Sequence, residues 1–123
     1  MLLAEDNDLN SEIATELLKT VGIIAERAEN GETALKYFQQ SEPGTFCAIL
    51  MDMQMPVIDG IASTKAIRAC GHPQAAEIPI LAMTANAYQE DVQRCREAGM
   101  NDHIAKPINP SHLFAVLAEY VKE

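Results

Sequence analysis

Residues 46–51 read FCAILM and residues 78–83 read IPILAM, two short apolar runs that are nearly continuous. Runs of this kind are typical of central strands in a parallel sheet whose two faces are both covered by helices. A segment of helical period follows each run, and the same alternation occurs five times in the 123 residues. We therefore predict an α/β fold built on a doubly wound, five-stranded parallel sheet.

The element boundaries follow from the apolar runs and from residues that begin or end helices. Gly22 ends the first helix, Asn30 and Gly31 open the second, and Pro110 suits the first turn of the last. The resulting topology is flavodoxin-like, (βα)5, with helices on both faces of the sheet. The predicted strands cover residues 1–4, 23–27, 46–51, 78–83 and 103–105, and the predicted helices cover 8–21, 31–40, 60–70, 87–98 and 110–122.

The composition is that of an ordinary globular protein, with 48% hydrophobic and 22% charged residues, and the length fits one domain over residues 1–123. No run approaches the roughly 18 apolar residues that a membrane helix needs. The opening MLLAEDND lacks the basic and apolar regions of a secretory signal. We expect this domain to lie in the cytoplasm, also where it forms part of a longer chain that is anchored in a membrane.

Charge and cysteine content limit the function classes. The formal net charge of −9 argues against contact with nucleic acid or an anionic membrane, because both require a basic patch. Proteins are therefore the expected partners. The cysteines Cys47, Cys70 and Cys95 are widely spaced and lack any CxxC pattern, so we interpret them as buried thiols without a metal or redox role.

Ionic and reactive side chains follow four of the five predicted strands. Glu5 and Asp6 follow the first strand, Asp52 the third, Thr84 the fourth and Lys106 the fifth. In an open parallel sheet, ligands bind beyond the carboxyl ends of the strands. Taken alone, an acid pair is more often a solvated turn or a helix cap. Four strand ends that all carry such residues favour a site, since ordinary loops would place Gly, Ser and Asn there.

Three carboxylates at one edge of a sheet repel one another, by about 4 kcal/mol for a pair ~4 Å apart at an effective dielectric constant of 20. A cation, or a proton on one carboxylate, must offset this repulsion. All-oxygen ligation favours Mg²⁺, which commonly binds phosphate as well. Zinc is disfavoured, because none of the histidines His72, His103 and His112 follows a strand near the acids.

These residue types match the needs of phosphoryl transfer to a carboxylate. Such a nucleophile requires a cation on the transferred oxygens, a hydrogen-bond donor and a second positive charge. Asp52, Mg²⁺, Thr84 and Lys106 supply that set.

Four segments carry a resemblance to a known family. They are LLAEDNDLN (2–10), MDMQMPVIDG (51–60), LAMTANA (81–87) and AKPI (105–108). In this order and spacing they resemble the response regulator receiver domains of two-component phosphorelay systems, over the whole chain. The Glu-Asp pair and the MDMQMP segment are most similar to receiver domains of hybrid sensor histidine kinases.

The resemblance implies a role for each acidic residue. Asp52 is implied as the phosphoacceptor, and Asp6 and Asp52 as direct ligands of Mg²⁺. Glu5 matches an acid that acts through a metal-bound water. The backbone carbonyl of Gln54 completes the implied set of protein ligands.

The resemblance also implies how the transferred group is recognised. Thr84 matches a hydroxyl that turns toward the phosphoryl oxygens, and Lys106 matches a lysine that pairs with them. His103 departs from the family, which often has Tyr or Phe three residues before that lysine. In the family, that aromatic residue belongs to a rotameric switch that couples the threonine, here Thr84, to the outer surface. At His103 this switch is either altered, with added pH sensitivity, or absent.

The implied function is a relay of phosphoryl groups between proteins. The group would pass from the phosphohistidine of a histidine kinase or histidine phosphotransfer domain to Asp52, in a reaction that depends on Mg²⁺. Phosphorylation would then switch or relay the signal. The domain would catalyse its own phosphorylation and a slow dephosphorylation, although its main role is signalling, and a hybrid histidine kinase is the expected parent chain.

Three alternatives remain open. A flavin-binding module of the same topology needs an uncharged phosphate loop after the first strand, where this chain has EDNDLN. A hydrolase of the haloacid dehalogenase type needs a second acid two residues after the nucleophile, where this chain has Gln54. A degenerate receiver would act only as a protein-binding module.

The period of the first helix indicates where a donor docks. It places Leu9 and Leu18 at opposite margins of the apolar face, about 180° apart. Leu9 would form an exposed apolar rim near the acceptor with Pro107 and Ile108, unless it packs against the last helix. The predicted core-facing arc comprises Ile13, Ala14, Leu17 and Val21.

Overall fold

A computed structural model describes residues 1–53, 59–84, 89–105 and 108–120. Its strands are β1 (Leu2–Ala4), β2 (Glu26–Ala28), β3 (Ile49–Asp52), β4 (Ile80–Thr84) and β5 (Asp102–Ala105). Its helices are α1 (Asp8–Thr20), α2 (Gly31–Gln40), α3 (Gly60–Ala69), α4 (Gln89–Ala98) and α5 (Pro110–Tyr120).

The strands form one parallel sheet in the order β2-β1-β3-β4-β5. The predicted fold class is thus confirmed. Because β1 lies between β2 and β3, the chain reverses its direction of winding there, and the carboxyl ends of β1 and β3 flank the switch point. The register places Ala4 opposite Met51 and Asp52 opposite Met83, so the ends of three strands lie at one edge.

Alternate residues of the strands feed two separate cores. Leu2, Ile49 and Met51 pack with Phe38 of α2 and Ile67 of α3 on one face of the sheet. On the other face, α1 and α5 cover the sheet, and the residues buried there include Leu3, Leu18, Leu50, Leu81 and Leu117. Burying each large side chain of this kind contributes about 1.5–3 kcal/mol, so both helix layers are held by the sheet.

Asparagine or aspartate side chains cap the first turns of α1, α2 and α3. Asn7, Asn30 and Asp59 have extended backbones, and each side chain accepts a hydrogen bond from the N–H three residues later. A cap of this type stabilises a helix by roughly 1 kcal/mol. The predicted second helix, 31–40, is confirmed at both ends by α2.

The predicted second strand, 23–27, was placed too early. The N–H of Ile23 donates to the carbonyl of Leu18 at 3.0 Å, which completes the end of α1 after Gly22, at φ 80°. Ile24 is 84% exposed. The apolar residues at 23–25 therefore belong to the connection, and β2 begins only at Glu26.

The predicted core-facing arc of α1 is confirmed for Ala14 and, in part, for Leu17, which packs against the second core, but it is wrong for Ile13 and Val21. Ser11, Ala14 and Leu18 are the buried residues of the helix, whereas Ile13 and Val21 are each 43% exposed. Small side chains at Ser11 and Ala14 let the helix approach the sheet closely, and Leu18 fills the second core. The helical period predicts how wide the apolar face of α1 is. Which part of that face turns toward the sheet depends on tertiary packing.

Other boundaries moved by a few residues. The third strand, predicted at 46–51, begins at Ile49, although Phe46 and Ala48 before it are buried. The predicted ends at 87–88 and 121–122 lie outside the described residues. Cys95 is buried, Cys70 is half-buried, and Cys47 is exposed, so the prediction of a buried thiol was wrong for Cys47. None of the helices among the described residues is long and apolar enough to cross a membrane.

Candidate functional site

Three carboxylates meet at the switch point of the sheet. One oxygen each from Glu5, Asp6 and Asp52 lies within 4.8 Å of the other two. Glu5 and Asp52 are 1% and 3% exposed, and Asp6 is open to solvent. The structure therefore brings together the acids that the sequence placed after the first and third strands.

The acid pair lies in the short connection between β1 and α1. The N–H of Glu5 continues the sheet by donating to the carbonyl of Ala28 at 3.0 Å. Its carboxylate Oε1 accepts from the N–H of Asn7 at 3.1 Å, and Asn7 in turn caps α1. The connection is thus tied to a strand on one side and to a helix on the other.

Asp52 is held from two directions. It is the last residue of β3, and the next N–H, of Met53, donates to the carbonyl of Met83 in the neighbouring strand at 3.0 Å. The first residue of α3, Gly60, lies against the same segment, and its N–H donates to the carbonyl of Met53. A Cβ on Gly60 would lie 2.2 Å from the carbonyl oxygen of Asp52. Only glycine permits this close approach.

The donor set suits a hard cation. All three side chains offer carboxylate oxygens at one edge of the sheet, and two of them are almost fully removed from water. Oxygen-only ligation is the preference of Mg²⁺, and a cation relieves the mutual repulsion of the acids. The residues present therefore fit a divalent metal, with room for water on the exposed side of Asp6.

Thr84 lies at the next strand end along the sheet. It is the last residue of β4, is 4% exposed, and is registered opposite Ala105 of β5. The sequence placed Thr84 and Asp52 just beyond their strands, whereas both are the final strand residues. The other predicted members of the site, Gln54 and Lys106, lie outside the described residues.

His103 lies within β5, opposite Ala82. Because neighbouring residues in register point to the same face, its side chain shares a face with Thr84, two residues further along β4. Its ring Nδ1 is 3.7 Å from a carboxylate oxygen of Asp102, and its side chain is about one third exposed. Burial raises the pKa of the nearby Tyr120 hydroxyl, and the charge of Asp102 raises it further.

The predicted docking rim is described in part. Leu9 is 64% exposed in the first turn of α1, and Ile13, one turn later, is 43% exposed. Ile108 is half-buried and packs against the second core. Pro107 lies outside the described residues. An exposed pair of apolar side chains therefore borders the acid edge.

Sequence reasoning missed two residues that support the acids. Gly60 was predicted as the first residue of the third helix, but no sequence pattern shows how closely it approaches Asp52. Arg27 was read as the end of a strand, whereas it reaches across to the acid connection. An arginine near a strand end carries no signal of its own in a single sequence.

Comparisons with known proteins agree with this geometry. The family model for the response regulator receiver domain matches residues 1–118. Hybrid signal transduction histidine kinase I of Dictyostelium discoideum is 36% identical over all of this chain, which spans only 7% of the length of that kinase.

Two solved structures are similar over nearly the whole chain. The receiver domain of a sensor histidine kinase from Pseudomonas aeruginosa, solved with magnesium in its active-site cleft, has a TM-score of 0.85 and 36% identity, covering 97% of this chain and 93% of that one. The second structure is a complex from Saccharomyces cerevisiae between the histidine phosphotransfer protein Ypd1 and the receiver domain of Ssk1. Its matching chain has a TM-score of 0.85 and 30% identity, covering 97% of this chain and 86% of that one. This chain belongs to the response regulator receiver domain family.

Proposed function

We propose that this receiver domain takes a phosphoryl group onto Asp52 from the phosphohistidine of a partner, in a reaction that depends on Mg²⁺. The observation that carries the proposal is the meeting of Glu5, Asp6 and Asp52 within 4.8 Å at the switch point of the sheet. A buried strand-end carboxylate beside two further acids suits a nucleophile that works with a cation.

The transfer is a displacement at phosphorus. A carboxylate oxygen of Asp52 forms the new bond to phosphorus, the phosphorus–nitrogen bond of the phosphohistidine breaks, and its electron pair stays on the ring nitrogen. The product is an acyl phosphate on Asp52. Because Asp52 is 3% exposed, its backbone is fixed by β3, and Gly60 abuts its carbonyl, the nucleophile is held in place before the donor arrives.

Asp6 and Asp52 would hold the metal directly, and Glu5 would do so through water, with the backbone carbonyl of Gln54 as a further ligand. Bound Mg²⁺ would supply positive charge to the phosphoryl oxygens. Support comes from the oxygen-only donor set and from the magnesium ion in the similar receiver domain of the Pseudomonas kinase.

Two further residues would recognise the transferred group. Thr84, at the end of β4, would donate its hydroxyl to a phosphoryl oxygen, and Lys106, directly after β5, would pair with another. His103 shares a sheet face with Thr84, which supports a role in passing the change at Thr84 to the surface of β5.

The partner would be a histidine kinase or a histidine phosphotransfer domain. The complex of Ypd1 with a similar receiver domain supports this choice. Leu9, with Pro107 and Ile108, would form the docking rim, and the 64% exposure of Leu9 favours docking over packing against α5. The relatives further support one receiver domain over residues 1–123 within a longer hybrid kinase.

The test is the intact mass of the chain after incubation with acetyl phosphate, with Mg²⁺ or with EDTA. We expect a mass increase of one phosphoryl group only with Mg²⁺. A chain that gains no mass in either condition, while a known receiver domain is labelled beside it, would be a degenerate receiver that only binds partners.

A further inference from the structure

Arg27 reaches from β2 to the connection that carries the acid pair. Its Nε donates to the backbone carbonyl of Glu5 at 3.1 Å, and its Nη1 donates to the carboxylate Oδ1 of Asp8 at 2.7 Å. The Arg27 side chain is 28% exposed, so it lies partly under the connection. One guanidinium therefore holds both ends of the segment in which Asp6 lies.

The planar guanidinium suits this position because its donors point in fixed, divergent directions. Glu5 and Asp8, the first residue of α1, lie three residues apart, and the N–H of Asn7 between them already donates to the Glu5 carboxylate. Bonds at both ends restrict the path of the chain between them. That path decides how far the carboxylate of Asp6 lies from Asp52.

We propose that Arg27 is a positioning residue for the metal site, which it serves by fixing the connection that presents Glu5 and Asp6. The inference rests on the proposed function, since it takes the acid cluster to be a Mg²⁺ site. Arg27 would act through the acids, without touching the metal or the phosphoryl group.

Charge and geometry predict opposite effects for Arg27. A positive charge near the acids repels a cation, so by charge alone its removal would tighten Mg²⁺ binding. The ion pair with Asp8 at 2.7 Å largely offsets that charge. Positioning predicts the reverse, because a looser connection must be ordered when the metal binds. The direction of the change in affinity thus separates the two roles.

The experiment compares Mg²⁺ affinity, by isothermal titration calorimetry of the whole chain, in the wild type and in Arg27→Ala and Arg27→Lys. We expect Arg27→Ala to weaken binding by about tenfold, at the lower end of what the loss of an outer partner costs a metal site. Arg27→Lys keeps the charge and the apolar stem but cannot bridge both acceptors, so it should weaken binding nearly as much.

Lys36→Ala is the matched control. Lys36 pairs with Glu32 at 3.8 Å on the exposed face of α2, so this change also removes one positive charge from an ion pair, without touching the acid connection. Its Mg²⁺ affinity should stay within about twofold of the wild type. Thermal melting without metal confirms that each variant is folded at the titration temperature.

Three outcomes overturn the inference. Tighter binding in Arg27→Ala would assign Arg27 a purely electrostatic role, and unchanged affinity would make it a residue of the fold alone. Wild-type affinity in Arg27→Lys would show that charge and stem suffice. Acetyl phosphate labelling of the wild type separates the two proposals. If the wild type is labelled and the variants bind Mg²⁺ as it does, only the role of Arg27 is contradicted. If the wild type neither binds Mg²⁺ nor gains mass, both proposals are contradicted.

Discussion

Asp52 combines two properties that rarely occur together in a carboxylate. It is 3% exposed, yet it lies within 4.8 Å of two other acids. Carboxylates this close together repel one another, so the arrangement is costly unless a cation offsets the repulsion. Costs of this kind cluster at functional sites, where they form part of the mechanism.

Replacing Asp52 with asparagine tests its role directly. Asp52→Asn has nearly the same volume and removes one charge from the cluster, so we expect the variant to fold and to melt no lower than the wild type. It should gain no phosphoryl mass from acetyl phosphate and Mg²⁺, because the amide is not a nucleophile. Stable labelling of this variant would move the acceptor to another residue.

Gly60 tests the support behind the acceptor. In Gly60→Ala the new methyl group would lie 2.2 Å from the carbonyl oxygen of Asp52, so α3 or the end of β3 must shift. Forced overpacking of this sort costs about 1–3 kcal/mol. We expect a loss of that size in urea unfolding, together with slower labelling of Asp52. Wild-type stability and labelling rate would show that α3 starts further from the strand.

The acid positions could be predicted from the sequence because strand ends converge in a parallel sheet. Glu5, Asp6, Asp52 and Thr84 all follow that rule. Arg27 and Gly60 could not be predicted, since their contacts depend on how one segment crosses another. How strands align and how closely two segments approach depend on the tertiary structure, so they cannot be predicted from the type and spacing of residues in one sequence.

The helices differ in how far local signals determine them. Asn30 accepts from the N–H of Thr33 at 2.8 Å, so α2 begins where its cap predicts. The preceding strand has no comparable signal, and the apolar residues at 23–25 were taken for it. A helix cap depends on hydrogen bonds within four consecutive residues, so the local sequence predicts it. The limits of β2 depend on its pairing with β1, which the local sequence does not show.

Arg68 shows how α3 is joined to its surroundings at the edge of the sheet opposite the acids. Its guanidinium donates to the carbonyls of Ala75, Ile78 and Gly99 and to the side chain of Asn101. Burial lowers the pKa of Arg68. Helix α3 and the connections that lead into β4 and β5 are thereby tied together at the amino ends of these strands.

Helix α1 carries a prediction about the donor. Leu9 is 64% exposed beside the acid connection, so Leu9→Asp should leave the fold and acetyl phosphate labelling nearly unchanged. Transfer from a phosphohistidine protein should slow by about tenfold, or roughly 1.4 kcal/mol, because an apolar docking contact is lost and a charge is added near the acceptor. Rates measured with both donors separate docking from chemistry.

The control for this change is Ile24→Asp. Ile24 is 84% exposed but precedes β2, so it lies at the opposite edge of the sheet from Asp52. It should slow neither reaction. Equal slowing of both donors by Leu9→Asp would place Leu9 in the fold, and slowing by Ile24→Asp would mean that the donor covers a different surface.

The acids lie at one edge of the sheet, whereas the three central strands β1, β3 and β4 are apolar up to Asp52 and Thr84 at their carboxyl ends. Two cores, one on each face, hold the five strands in register, and that register brings the acids together. The stability of the molecule and the repulsion within the site are therefore linked: a metal that relieves the repulsion must also stabilise the fold.

This linkage predicts the response of the melting temperature to Mg²⁺. At a concentration of about 100 times the dissociation constant, binding to the folded state adds about 2.7 kcal/mol. For a chain of this size we expect the wild type to melt roughly 10 °C higher with saturating Mg²⁺. Asp6→Lys reverses one charge of the cluster, so it should melt above the metal-free wild type and show no further rise with Mg²⁺.

Glu16→Lys makes the same charge change on the exposed face of α1 and should keep the Mg²⁺ response, because Glu16 is separate from the acid cluster. A wild type whose melting is unaffected by Mg²⁺, or an Asp6→Lys variant that responds fully, would place the metal elsewhere or exclude it from this edge.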